Sequence, residues 1–92
     1  MTTLPETAEA RIKRMGMRSW RRGTKEMDMI LGPYSDARLA GMNEAGLLLY
    51  DKLLWENDQD LLPWVLGQQP APPQYARLIA DIGSFARARL AH

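Results

Sequence analysis

Eight consecutive residues, Arg21-Arg22-Gly23-Thr24-Lys25-Glu26-Met27-Asp28, hold a helix stop, a hinge and a helix start. Glycine tolerates the left-handed conformation that closes a last helical turn, and the two arginines before it suit the negative end of a helix dipole. Thr24 can cap the helix that follows, with Glu26 and Asp28 favoured near its positive end. A chain punctuated in this way folds as two helices meeting at a corner.

The flanking patterns agree. Upstream, Pro5 suits a first helical position, and Ala8, Ile12, Met15 and Ser19 recur at three- and four-residue spacing. Downstream, Met27, Ile30, Leu31, Tyr34 and Arg38 keep helical spacing across Gly32-Pro33, where the proline is expected to kink the helix or split it. Asn43 can cap a third helix through Leu47, Tyr50, Leu53 and Trp55, whose broad apolar surface predicts the central helix of the bundle. A fourth is expected to start near Asp58 to Asp60 with Pro63 in its first turn, and to continue through Leu61, Trp64 and Val65. After a proline-rich linker, Gly67 to Pro73, a fifth carries Tyr75, Leu78, Ile79, Ile82, Phe85 and Leu90. No strand-like alternation interrupts these patterns. The chain reads as an all-α bundle of about five short helices in one domain, residues 1–92.

The residue inventory excludes most chemistry. There is no cysteine, so neither disulfides nor thiolate metal sites can form, and the one histidine is His92. No Gly-rich phosphate loop or Ser/His/Asp set is present, and the carboxylate pairs Glu26/Asp28 and Asp58/Asp60 read as helix-start residues. No catalytic, cofactor-binding or metal-binding residues are therefore assigned. No apolar run reaches the roughly 18 residues that span a bilayer, and the early Glu6 and Glu9, with no apolar signal core, suggest neither secretion nor organelle import. A soluble cytoplasmic protein is the expectation.

Charge is segregated although the whole is near neutral. Residues 1–25 carry seven cations against two carboxylates, a net +5, and residues 26–60 carry two cations against eight carboxylates, a net −6. A two-signed surface favours oriented docking to a protein. The alternative is a small nucleic-acid-binding module in which the basic first helix tracks phosphates and Trp20 stacks on a base, although the acidic middle opposes it. Trp55 and Trp64 fall in apolar patterns and are expected in the core. Met15, Met17, Met27 and Met29 flank the corner, where soft side chains suit either core filling or a binding surface.

At this corner the sequence resembles a known family. Arg22-Gly23 followed by Glu26 is similar to the Arg-Gly-x-x-Glu signature of the succinate dehydrogenase assembly factors, also called flavinylation factors or the SdhE family. The match continues through Arg21, Met27 and Asp28, and Asp58-x-Asp60-Leu61-x-x-Trp64 resembles the family's second landmark. Thr24 departs from the methionine that many members carry. The resemblance implies a small five-helix protein that binds the flavoprotein subunit of succinate dehydrogenase, and in some bacteria fumarate reductase. It would promote covalent attachment of FAD to a histidine of that client. It further implies that Arg22, Gly23 and Glu26 touch the client, with Arg21 and Asp28 beside them and Arg14 about two helical turns back. FAD belongs to the client, so the chain is expected to have no cofactor of its own. It is expected to act as a monomer, without nucleic acid and without inserting into a membrane.

Overall fold

The computed structural model describes residues 6–90, with the side chain of Leu90 left aside, so the readings made for Pro5, the Leu90 side chain and His92 lie outside the described residues. The described chain forms α1 (Ala8–Trp20), α2 (Lys25–Arg38), α3 (Glu44–Leu53), α4 (Asp58–Val65) and α5 (Ala76–Leu90), with 3₁₀ turns at Leu39–Gly41 and Pro73–Tyr75. The all-α, five-helix expectation is met.

Each of the first four helices starts where a short polar side chain replaces a missing backbone partner. Thr7 accepts from the Ala10 amide at 3.0 Å, Thr24 from Met27 at 3.3 Å, Asn43 from Gly46 at 2.8 Å and Asn57 from Gln59 at 2.8 Å. Helical spacing then delivers one buried face apiece: Met15 and Ser19 from α1, Met27, Leu31 and Tyr34 from α2, and Leu47, Tyr50 and Leu53 from α3. Leu61 and Val65 of α4, Ile79 and Ile82 of α5, and Leu39, Leu54 and Tyr75 from the connecting turns complete the core. Burial of each aliphatic or methionine side chain among them contributes about 1.5–3 kcal/mol. Tyr34 links three helices, with its ring 5.9 Å from that of Tyr50 and 5.6 Å, edge-on, from that of Phe85.

Of the two outcomes expected at Pro33, the split is not found: α2 runs to Arg38 as one helix, with the proline offering no amide to the Met29 carbonyl. Three local expectations are corrected. Pro63 lies in the second turn of α4, not the first, because Asn57 caps the helix and Asp58 is its first residue. The hub is α2, which packs on α1, α5 and α4, whereas α3 leaves Leu48 57% exposed. A wide apolar stripe therefore did not mark the central position. Trp55 is 74% exposed, because it falls in the turn after α3, where among the described residues its one cation contact is the Arg18 guanidinium over its ring at 4.2 Å. Trp64, by contrast, is half-buried against the core, with its ring 6.2 Å from that of Tyr75.

Candidate functional site

The first helix stops at Trp20, and the next two residues shape the corner. The Arg21 amide closes the last turn on the Arg18 carbonyl at 3.4 Å. The Arg22 amide donates to the Asp28 carboxylate, which lies in the first turn of α2. The Arg22 side chain then turns inward. Its Nε donates to Asp58 Oδ1 at 2.8 Å, Nη1 to the Leu54 carbonyl at 2.7 Å and Nη2 to the Glu56 carbonyl at 2.9 Å. The guanidinium thus meets the negative end of α3 and a carboxylate at the positive end of α4. The second oxygen of Asp58 accepts the Gly23 amide at 2.6 Å.

Gly23 is not in the left-handed region; among the described residues the only positive-φ glycine is Gly67, at 76°. The expected conformational role of Gly23 is corrected accordingly. What favours glycine there is proximity, since a Cβ at residue 23 would lie 3.3 Å from Asp58 Oδ2. The tie reaches the 3₁₀ turn that leads into α5, because Tyr75, expected in the fifth helix but found in that turn, donates to the Glu56 carboxylate at 3.0 Å; burial raises the Tyr75 pKa.

Of the six candidate residues, Arg21, Gly23 and Glu26 are exposed. Among the described residues neither the Arg21 nor the Glu26 side chain has a hydrogen-bond or ion-pair partner. Arg22 and Asp28 are tied inside the corner. Arg14 is directed to α3: it bridges Asp51 at 2.9 Å and Glu6 at 2.8 Å. These bonds, that with Asp51 first, raise the Arg14 pKa, and Arg14 in turn holds the carboxyls of Asp51 and Glu6 below their ordinary values. Beside Glu26, the apolar side chains of Met29, Ile30 and Ala86 line a groove of about 290 Å³ between α2 and α5, with Arg89 on its other rim.

The segregated charges largely meet within the molecule. Arg11 pairs with Glu44 at 2.8 Å, Arg14 with Asp51 and Arg22 with Asp58, which draws the basic first helix onto the acidic α3 and α4. Among the described residues Lys13, Arg18, Arg21 and Lys25 are the cations of this stretch without a carboxylate partner, and Arg18 is turned to the Leu54 carbonyl and the Trp55 ring, which leaves no continuous row for tracking phosphates. Trp20 is 40% exposed, but its indole N–H points at the Asp36 carboxylate at 3.2 Å, an unfavourable neighbour for a nucleotide. Met15 and Met27 are core residues, whereas Met17 and Met29 are about half exposed.

Sequence reading missed Asp58 as part of the corner, having assigned it to the start of α4. Its place in the second landmark, together with the opposed charges of the two stretches, was the available signal. Among the described residues no group of His, Asp or Glu side chains could hold a metal ion, and no helix is long and apolar enough to cross a membrane.

Fold and site together define a small helical protein whose first interhelical corner is built around the internal Arg22–Asp58 ion pair and presents a backbone glycine and a glutamate outward. The family model described as flavinator of succinate dehydrogenase matches residues 13–86, and the chain belongs to that family. It is 30% identical over 87 residues to succinate dehydrogenase assembly factor 2, mitochondrial, of Mycosarcoma maydis, covering 95% of this chain and 37% of that protein. The protein of the same name from Schizosaccharomyces pombe is 28% identical over 89 residues, covering 95% and 64%. That from Schizosaccharomyces japonicus is 33% identical over 82 residues, covering 87% and 57%. The chain therefore spans less than two thirds of the length of these relatives. The expected cytoplasmic location is overturned, because the relatives are named as mitochondrial. That expectation, which also read against organelle import, rested on the early Glu6 and Glu9 and on the lack of an apolar signal core, and the second feature separates secreted chains from others but does not separate cytoplasm from mitochondrion.

Proposed function

We propose that this chain binds the flavoprotein subunit of succinate dehydrogenase, and of fumarate reductase where present, and promotes covalent attachment of FAD without supplying catalytic groups. The observation that carries this reading is the Arg22-Gly23-x-x-Glu26 corner, held by Asp58 with Gly23 and Glu26 exposed, in a member of the flavinator family. Arg21 extends the same surface, and the groove beside Glu26 offers apolar area next to a carboxylate. Such a mixture of apolar and charged groups suits a protein partner.

Attachment needs the client's histidine and flavin held in a reactive geometry. A helper contributes by binding a client conformation that is otherwise little populated, and by no more than its preference for that conformation. FAD is accordingly the client's, and no flavin site is assigned to this chain. Apo flavoprotein subunit incubated with FAD, with and without the protein, tests the reading through flavin fluorescence that survives denaturing electrophoresis. Faster appearance of the covalent flavin is the expected result. Equal rates with and without the protein would remove it.

A further inference from the structure

We propose that Asp58 is the positioning residue of the corner, and that Arg22 acts through it from inside, leaving Gly23, Glu26 and Arg21 as the groups that meet the partner. This rests on the docking reading above. One carboxylate receives both the Arg22 Nε–H at 2.8 Å and the Gly23 amide at 2.6 Å, so the placement of a single side chain sets both. The two remaining guanidinium nitrogens are taken by the Leu54 and Glu56 carbonyls, in the turn that leads from α3 to α4. The side chains of Arg22 and Asp58 are only 8% and 9% exposed.

For Arg22 to reach a client, three charge-assisted bonds would have to break and Asp58 would be left without its cation in a nearly buried position. Both changes oppose the movement. The start of α2 is fixed from the same side, because the Arg22 amide is held by Asp28 one turn into that helix. Glu26 lies between these two anchors. The three signature residues therefore have separate roles, the arginine building the corner while the glycine and glutamate face outward.

The full chain carrying Asp58→Asn, Asp58→Glu, Arg22→Lys, the double change Asp58→Asn with Arg22→Lys, or Glu26→Ala tests this against apo flavoprotein subunit by titration calorimetry, with amide exchange followed by NMR. An asparagine offers one acceptor oxygen and cannot serve both the Gly23 amide and Arg22 Nε as the carboxylate does. Asp58→Glu keeps the charge but displaces it by a methylene, which guards against loss of the fold. Both are expected to weaken binding about tenfold and to speed exchange at the Gly23 amide, while the Met27 and Leu31 amides stay protected. The double variant is expected to bind no more weakly than the single ones, as for residues acting as a unit.

Equal weakening by Arg22→Lys with and without Asp58→Asn would make Arg22 a direct contact and overturn the proposal. Loss of protection at Met27 and Leu31 alongside Gly23 would overturn it too, by making Asp58 a residue of global stability only. Wild-type affinity in both Asp58 variants would end the positioning role while the docking reading survived, provided Glu26→Ala still bound weakly. Failure of the unaltered chain to bind the subunit would remove the docking reading and this inference with it.

Discussion

The indole of Trp20 lies where a side chain on residue 32 would have to be. A Cβ at Gly32 would sit 2.3 Å from Trp20 Cδ2, with Cε2 and Cε3 at 2.5 Å. The indole is fixed there by its N–H bond to Asp36, one turn further along α2. Gly32 thus lets α1 and α2, the most extensively packed pair of helices, close on each other immediately before the corner.

Glycine inside a helix is about 1 kcal/mol less favourable than alanine, so propensity alone predicts that Gly32→Ala stabilises. The contact with Trp20 predicts the opposite, because overpacking costs about 1–3 kcal/mol and here also displaces the indole from Asp36. We expect a melting temperature lower by roughly 5–10 °C, on the scale of 4–8 °C per kcal/mol for a domain of this size. Thermal unfolding followed by circular dichroism decides the sign, and a rise would show that the indole moves aside without cost.

Helix starts were legible in the sequence because their cause is local. Thr24 and Asn43 each serve an amide three residues ahead, and both cap as expected. The corner was located for the same reason. Its internal construction was not legible, because Arg22 and Asp58 are 36 residues apart and spacing says nothing of which distant carboxylate a guanidinium meets. The need for glycine at residue 32 was not legible either, because the indole that requires it belongs to another helix. Trp55 read as core because its pattern continues that of α3, while the helix ends two residues earlier at Leu53.

Ser19 and Tyr50 form the buried polar contact between α1 and α3, and its two halves are not equivalent. The Ser19 hydroxyl donates to the Met15 carbonyl at 2.8 Å, which leaves Tyr50 as the donor in their 2.7 Å contact. Ser19→Ala would leave a buried phenol without an acceptor, at a cost of about 1–3 kcal/mol, while Tyr50→Phe removes only the donor to a hydroxyl that keeps its other bond. Chemical denaturation should therefore find the serine variant the less stable. Burial pushes the Tyr50 pKa up from 10.0 to about 12. The stability this group contributes is complete below pH 10 and declines as pH rises towards 12, so Tyr50→Phe should also flatten that alkaline decline.

The pair formed by Arg14 and Asp51 predicts an acid-side effect. The bond from Arg14 lowers the Asp51 pKa from 3.8, so the unfolded chain takes up a proton there at higher pH than the folded one. The associated stability is present above about pH 4 and is lost as pH falls through the folded value. Asp51→Asn should lower stability at neutral pH by about 0.5–1 kcal/mol, the range for a partly solvated pair, and flatten the acid limb below pH 4. Urea midpoints measured from pH 2 to pH 7 check this. An unchanged acid limb would mean that the pair contributes nothing.

Gly23 separates tolerance of the fold from tolerance of the partner. Its φ is not in the left-handed region, so a side chain is conformationally allowed, and a Cβ requires Asp58 to move by only a few tenths of an ångström. Gly23→Ala should therefore cost at most about 1 kcal/mol and leave the helical circular dichroism signal unchanged. Gly23→Arg adds a long cation to an exposed position of the proposed docking surface. It should fold with the same helix content while covalent flavinylation of the client falls to the rate seen without the protein. The alanine variant should retain most of the activity, since its methyl group displaces Asp58 by only a few tenths of an ångström and leaves the corner standing. Loss of the helical signal in Gly23→Arg would instead make the glycine a requirement of the fold, and full activity in that variant would place the client contact elsewhere.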